Sequence, residues 1–143
     1  MGTQAMHHID PGEAQFAAFK ALPRDAEIMM LNLLRFRDRA AYEDGRNVTG
    51  AEAYAAYGRE SAQVFRRVGG EILLRARPEM VVIGPEDEHW DLAFVARYPS
   101  AASFLDMLTD PVYRAAVRHR QAAILDSRLI RMAAVAPGAG FAD

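Results

Sequence analysis

The apolar positions of this chain change period along its length, and the changes mark the elements. Over 27–36, Met29, Leu31 and Leu33 alternate with Ile28, Met30, Asn32 and Leu34. Both faces of that run are apolar apart from Asn32, which predicts a strand covered on two sides. Over 49–68 the period lengthens. Tyr54, Tyr57, Ser61, Val64, Phe65 and Val68 fall on one stripe while Arg59, Glu60, Gln63, Arg66 and Arg67 fall outside it, as in an amphipathic helix. Thr49-Gly50-Ala51-Glu52 matches a capping box at its start, and Gly69-Gly70 supplies the left-handed backbone that stops it.

A second strand from Glu71, bent or bulged near Pro78 and resumed over 80–83, is expected to pair as a hairpin with a third strand over 90–98. Ser100 caps a further helix through Phe104 and Leu108. Asp110-Pro111 breaks it, and it restarts through Tyr113, Val117 and Ile124. A last strand covers 128–135. The order is strand, helix, strand, strand, helix, strand, the βαββαβ arrangement of a ferredoxin-like α+β fold. A short extra helix, started by Asp10-Pro11 and ended by Pro23, precedes it. The expected organisation is one domain over 1–143: a helical extension (1–26), the core (27–135) and a small, Gly-rich, flexible tail (136–143).

Two helices can cover only one face of such a sheet, yet both faces of the first and third strands are apolar: Leu31 and Leu33 against Met30 and Leu34, Ala93 and Val95 against Leu92 and Phe94. A second copy packed face to face is the simplest cover for the remaining side, so a homodimer closing a barrel is expected.

Composition narrows the chemistry. Hydrophobic residues make up 51% and charged residues 25% of the 143, with a net charge of -2, so the chain lacks the basic footprint of a nucleic-acid binder. It has no cysteine, which removes disulfides, thiolate metal sites and a thiol nucleophile. The first ten residues do not read as a secretory leader, and the apolar run at 28–34 is too short to span a bilayer. A cytoplasmic protein without membrane attachment is the expectation.

The candidate ligand contacts are polar residues interrupting apolar strands: Asn32 on the first, Arg75 on the second, Arg97 on the third, with Trp90 at the third strand's start. Asn32 is expected on the side away from the helices, since an amide is easier to satisfy beside a partly hydrated lumen than beneath a packed helix; with Arg75 and Arg97 on that side too, the three form a cationic funnel suited to a carboxylate or enolate. The plainer readings are a structural hydrogen bond for Asn32, exposed or ion-paired arginines and a packing role for Trp90. Tyr54, Tyr57 and Tyr113 read as core residues with a polar tip, Tyr57 also as an acid if it reaches the lumen. Arg114, Arg118, His119 and Arg120 read as a solvated helix face. The four histidines show no ligand spacing, so neither a metal nor a cofactor is expected.

Met30-Leu31-Asn32-Leu33-Leu34-Arg35-Phe36, Thr49-Gly50-Ala51-Glu52-Ala53-Tyr54, Gly69-Gly70, Tyr98-Pro99-Ser100, Tyr113 and Asp126-Ser127-Arg128 resemble the bacterial family catalogued as domain of unknown function 1330, within the dimeric α/β-barrel superfamily. The resemblance implies a homodimer and an interior cavity able to hold a small organic molecule. Relatives in the wider superfamily include cofactor-independent monooxygenases, lactone isomerases and haem-dependent enzymes, and the resemblance assigns no catalytic residue. Two classes of function follow: a cofactor-free isomerase or monooxygenase acting on an enolisable or aromatic substrate, or a non-catalytic barrel binding a metabolite or partner.

Overall fold

The computed structural model describes residues 7–142. The first six residues, where no leader is expected, and Asp143 of the tail lie outside the described residues. In chain order the elements are α1 (Glu13–Ala21), β1 (Ile28–Phe36), α2 (Gly50–Arg67), β2 (Glu71–Ala76), β3 (Leu92–Tyr98), α3 (Ala101–Thr109), α4 (Pro111–Ala123) and β4 (Ile124–Met132). The strands form one antiparallel sheet in the order β2-β3-β1-β4. This is the ferredoxin-like α+β arrangement, with α3 and α4 together filling the place of the second helix.

Register decides which side chains meet the helices. Ile28, Met30, Asn32 and Leu34 of β1 stand opposite Tyr98, Ala96, Phe94 and Leu92 of β3. Ile28, Met30, Ala96 and Tyr98 pack with Val64 of α2 and Val68 at its C-cap, with Phe104 and Met107 of α3 and with Tyr113 of α4. Leu34 and Ile124 close a second cluster with Ala53 and Ala123. This helix-side face therefore carries Asn32. The far face carries Leu31 and Leu33 opposite Val95 and Ala93, with Ile130 and Leu74 in register.

The local signals act as expected at most joints. Glu52 N donates to Thr49 Oγ1 at 3.0 Å and Thr49 N to Glu52 Oε1 at 2.8 Å, completing the capping box. A Cβ at Gly50 would fall 2.1 Å from the Arg37 carbonyl oxygen and 2.9 Å from that of Ala123, so glycine lets α2 begin against the ends of β1 and α4. Gly69 takes φ 86°, the left-handed stop of α2. Ser103 N donates to the Ser100 hydroxyl and Val112 N to the Asp110 carboxylate, so the restart at Asp110-Pro111 is two separately capped helices.

Four boundaries differ from the sequence pattern. α1 starts at Glu13 with Gly12 as its cap, because the Asp10 carboxylate accepts from Gln121 of α4 instead of capping α1. β2 stops at Ala76, and residues 80–83 form no strand: Pro78 cannot extend the ladder, and Ile83 stands 94% exposed. β3 begins at Leu92, two residues after Trp90. β4 begins at Ile124, where the helix passes directly into extended backbone (φ -92°, ψ 128°) without a turn residue.

The expected solvated face of α4 is also half wrong. His119 is only 4% exposed: its Nδ1 meets the Tyr42 hydroxyl at 2.5 Å and its Nε2 meets Glu60 Oε2 at 2.8 Å. That chain pins the loop after β1 to α2 and α4. Arg114 and Arg118 are exposed as expected, whereas Arg120 turns inward.

Candidate functional site

Between the helix-side face of the sheet and the helices lies a cavity of about 2040 Å³. It exceeds the roughly 300–1,000 Å³ of an ordinary small-molecule pocket because it is a half-open cleft that runs outward beneath α1 and along the exposed edge of α2. Its floor is Asn32 and Phe94 at the sheet centre, its walls are α2 and α4 with Tyr54, Tyr57 and Tyr113, and its cover is α1. Ala55, Gly58 and Ala62 of α2 border the same space.

α1 buries none of its own residues. It is held from below. Arg131 Nη1 donates to the Phe19 carbonyl at 3.3 Å and Nη2 to the Pro23 carbonyl at 2.6 Å, with the guanidinium over the Phe19 ring. Phe19 in turn meets Phe104, ring centroids 5.4 Å apart. Before α1, Arg120 donates to the Ile9 carbonyl at 2.5 Å and Ser127 Oγ to the His8 carbonyl at 2.6 Å. The His8 N–H donates to Asp126. Partial burial alone would raise the Asp126 carboxyl; the His8 N–H, Arg128 and the Ser127 N–H outweigh it and hold the group below its usual range.

Asn32 lies under the helices, not away from them. Its Nδ2 donates to the Met30 carbonyl at 3.1 Å, and the rest of the amide borders the cavity. The open space that a polar amide needs lies on the helix side of the sheet, in the cavity. Arg75 shares that side. A bulge between Ile72 and Leu74 resets the alternation, so Ile72 and Arg75, three apart, both face the helices, with Arg75 opposite Phe94.

The other two candidates are elsewhere, and the funnel on the far face does not form. Arg97 stands with Val95 on the far face, paired with Glu27 and at 3.5 Å with Glu71, because the register sets it opposite Glu71. Trp90 is buried beyond the cavity, in a hollow of about 280 Å³ under residues 78–91, donating to Glu88 at 3.1 Å with Arg128 over its ring.

Sequence reasoning gave too little weight to the tyrosines. The Tyr57 and Tyr113 hydroxyls are 2.8 Å apart, and the Tyr54 ring lies 5.2 Å from that of Tyr57, tilted by 41°. Burial raises the Tyr54, Tyr57, Tyr98 and Tyr113 phenols above their usual value, so all four are neutral at physiological pH. The positive charges of Arg120 and Arg75 act on this group, Arg120 on Tyr54, Tyr57 and Tyr113 and Arg75 on Tyr54. The signal for Arg120 was in the sequence: Tyr113, Val117 and Arg120 follow the 3.6 period and share one face of α4.

Fold and cavity together define a ferredoxin-like α+β protein with an aromatic chamber between sheet and helices. The family model described as Domain of unknown function (DUF1330) matches residues 45–133, and the chain belongs to that family. It is similar over nearly its whole length to two crystal structures of one protein of unknown function from Rhodopseudomonas palustris. The structure of the methylated protein has 57% identity, a TM-score of 0.90 and coverage of 93% of this chain and 98% of the other. The second has 56% identity, a TM-score of 0.88 and coverage of 92% and 100%. An uncharacterized NIPSNAP-like domain protein from Burkholderia xenovorans shares the fold alone, at 16% identity and a TM-score of 0.50 over 81% of this chain and 91% of that one. Among curated proteins none matches the chain. Among the described residues, no helix is long and apolar enough to cross a membrane, and no three His, Asp or Glu side chains gather as they would around a metal ion.

Proposed function

We propose that this protein binds a small, flat organic molecule in the cavity beneath α1. The supporting observation is the lining: an aromatic wall of Tyr54, Tyr57, Phe94 and Tyr113, interrupted by the Asn32 amide and overlooked by Arg75 and Arg120. Apolar walls supply binding free energy on the order of 25 cal/mol per Å² covered, and a few polar groups fix orientation. Working from this lining, Asn32 and Arg75 are retained as ligand contacts; Arg97 and Trp90 are not. The test is a thermal-shift survey of mono- and bicyclic aromatic ketones and carboxylates. Stabilisation that Asn32→Leu or Tyr54→Ala abolishes supports the reading, and no stabilisation by any member defeats it.

The working unit in this reading is a homodimer joined through the far faces of two sheets. In the single chain Leu74 is 56% and Ile130 46% exposed there, beside Leu31, Leu33 and Val95. An apolar sheet face of that extent is rarely left to water.

One observation favours catalysis over storage. Neutral hydroxyl donors under a positive field are what an enolate oxygen needs, so the chamber suits a cofactor-free step on an enolisable substrate, an isomerisation or oxygenation. Protein-dependent exchange of α-protons of a bound aromatic ketone for deuterium, followed by NMR, tests it; exchange at the buffer rate leaves a binding protein.

A further inference from the structure

The Tyr57 and Tyr113 hydroxyls hold two O–H donors and meet in one hydrogen bond of 2.8 Å. Whichever donates, the other keeps a proton that no described residue accepts. Both side chains line the cavity, so that proton is presented to whatever fills it. The pair remains protonated at neutral pH because burial raises both phenols. The donating hydroxyl polarises its neighbour, which makes the remaining proton a better donor than an isolated phenol. Around it the surfaces are flat: Tyr54 lies 5.2 Å from Tyr57, and Phe94 borders the same chamber. The nearby Arg75 and Arg120 charges favour an oxygen carrying partial negative charge over a cationic or purely apolar group.

We infer that the Tyr57–Tyr113 pair recognises a carbonyl oxygen, its unused O–H donating to an aromatic ketone whose rings lie against Tyr54 and Phe94. This rests on the cavity being a ligand site. It goes further by naming the group that reads the ligand and the atom that is read. It also separates the tyrosines by role: Tyr54 supplies a face, whereas Tyr57 and Tyr113 supply one directed proton.

The experiment titrates the full chain with naphthalene and with 2-acetylnaphthalene, comparing the native protein with the double variant Tyr57→Phe, Tyr113→Phe. The ratio of the two dissociation constants should shift about threefold to tenfold against the ketone in the double variant, the worth of one neutral hydrogen bond, with naphthalene affinity held within twofold. A ratio unchanged in the double variant overturns the assignment and leaves the cavity reading standing. Failure of both probes to bind the native protein overturns both. Should the double variant not fold, infrared spectra of the bound ketone decide. Each single Phe variant removes the polarising partner, so the carbonyl stretch should move toward its value in hexane; an identical stretch in native protein and both single variants overturns the assignment.

Discussion

The guanidinium of Arg131 lies 4.8 Å from the centroid of the Phe19 ring and donates to the Phe19 backbone carbonyl at 3.3 Å, so one side chain of β4 holds α1 by a ring and by its backbone. Since α1 buries no residue of its own, this anchor and the Arg120 contact to Ile9 keep the cavity covered. Arg131→Ala should raise amide exchange across residues 13–21 by about tenfold, from the loss of roughly 1–1.5 kcal/mol of local stability, while β1 stays protected. Hydrogen–deuterium exchange with mass spectrometry reads this directly. Equal exchange in both proteins would show that α1 is held by something else.

Alkali should destabilise the fold through the buried phenols. Burial raises Tyr54, Tyr57, Tyr98 and Tyr113 above the unfolded value near ~10, so the unfolded chain loses those protons first as pH rises. Their contribution is complete below pH ~10 and is lost as pH climbs from there toward the folded values. The melting temperature should therefore fall steeply above pH ~10. The absorbance of four of the five tyrosines as phenolate should appear together with unfolding rather than before it, and Tyr98→Phe should flatten the fall.

His119 joins Tyr42 to Glu60 through both ring nitrogens in a nearly closed site. His119→Ala leaves the Tyr42 hydroxyl and the Glu60 carboxylate without that partner and opens a void. The expected loss is about 2–3 kcal/mol in urea unfolding. Glu60→Gln, whose amide keeps a hydrogen bond to the ring, should cost under about 1 kcal/mol.

Much of this was legible in the chain because local chemistry decided it. Thr49 and Glu52, Gly69, Ser100 and Asp110 act within four residues of themselves, and each makes the turn or cap its type allows. The apolar alternation of β1 likewise gave a two-sided strand. What the alternation cannot say is which side meets the helices, since Met30 and Leu31 are equally apolar, and the far-face placement of Asn32 failed on that point. The principle behind it, that the amide needs open space beside it, holds; that space lies between sheet and helices, bordered by Tyr54 and Tyr57 of α2, through distances no single strand encodes. Arg75 and Arg97 were separated by a bulge at Leu73, a long-range property of strand pairing. Arg97 and Trp90 found carboxylate partners instead of the cavity.

The far face yields a direct test of assembly. Val95 stands between Leu31 and Leu74 in register. In the dimer proposed above, Val95→Asp would bury an unpaired carboxylate at a cost of several kcal/mol. Sedimentation should give twice the chain mass of 15.8 kDa for the native protein and the single chain mass for the variant. A native species at 15.8 kDa at micromolar concentration removes the dimer.

The ligand cavity itself is tested most directly by a two-dimensional NMR titration of the native protein with 2-acetylnaphthalene. Asn32 and Phe94 face the chamber, and Leu33 and Val95, on the same two strands, face the other way. The expected result is saturable shifts of the Asn32 side-chain amide and of the Tyr57 and Phe94 rings, with the Leu33 and Val95 methyls unmoved. Saturable shifts confined to Leu33, Val95 and the rest of the far face, or no saturable shift at all, would contradict it.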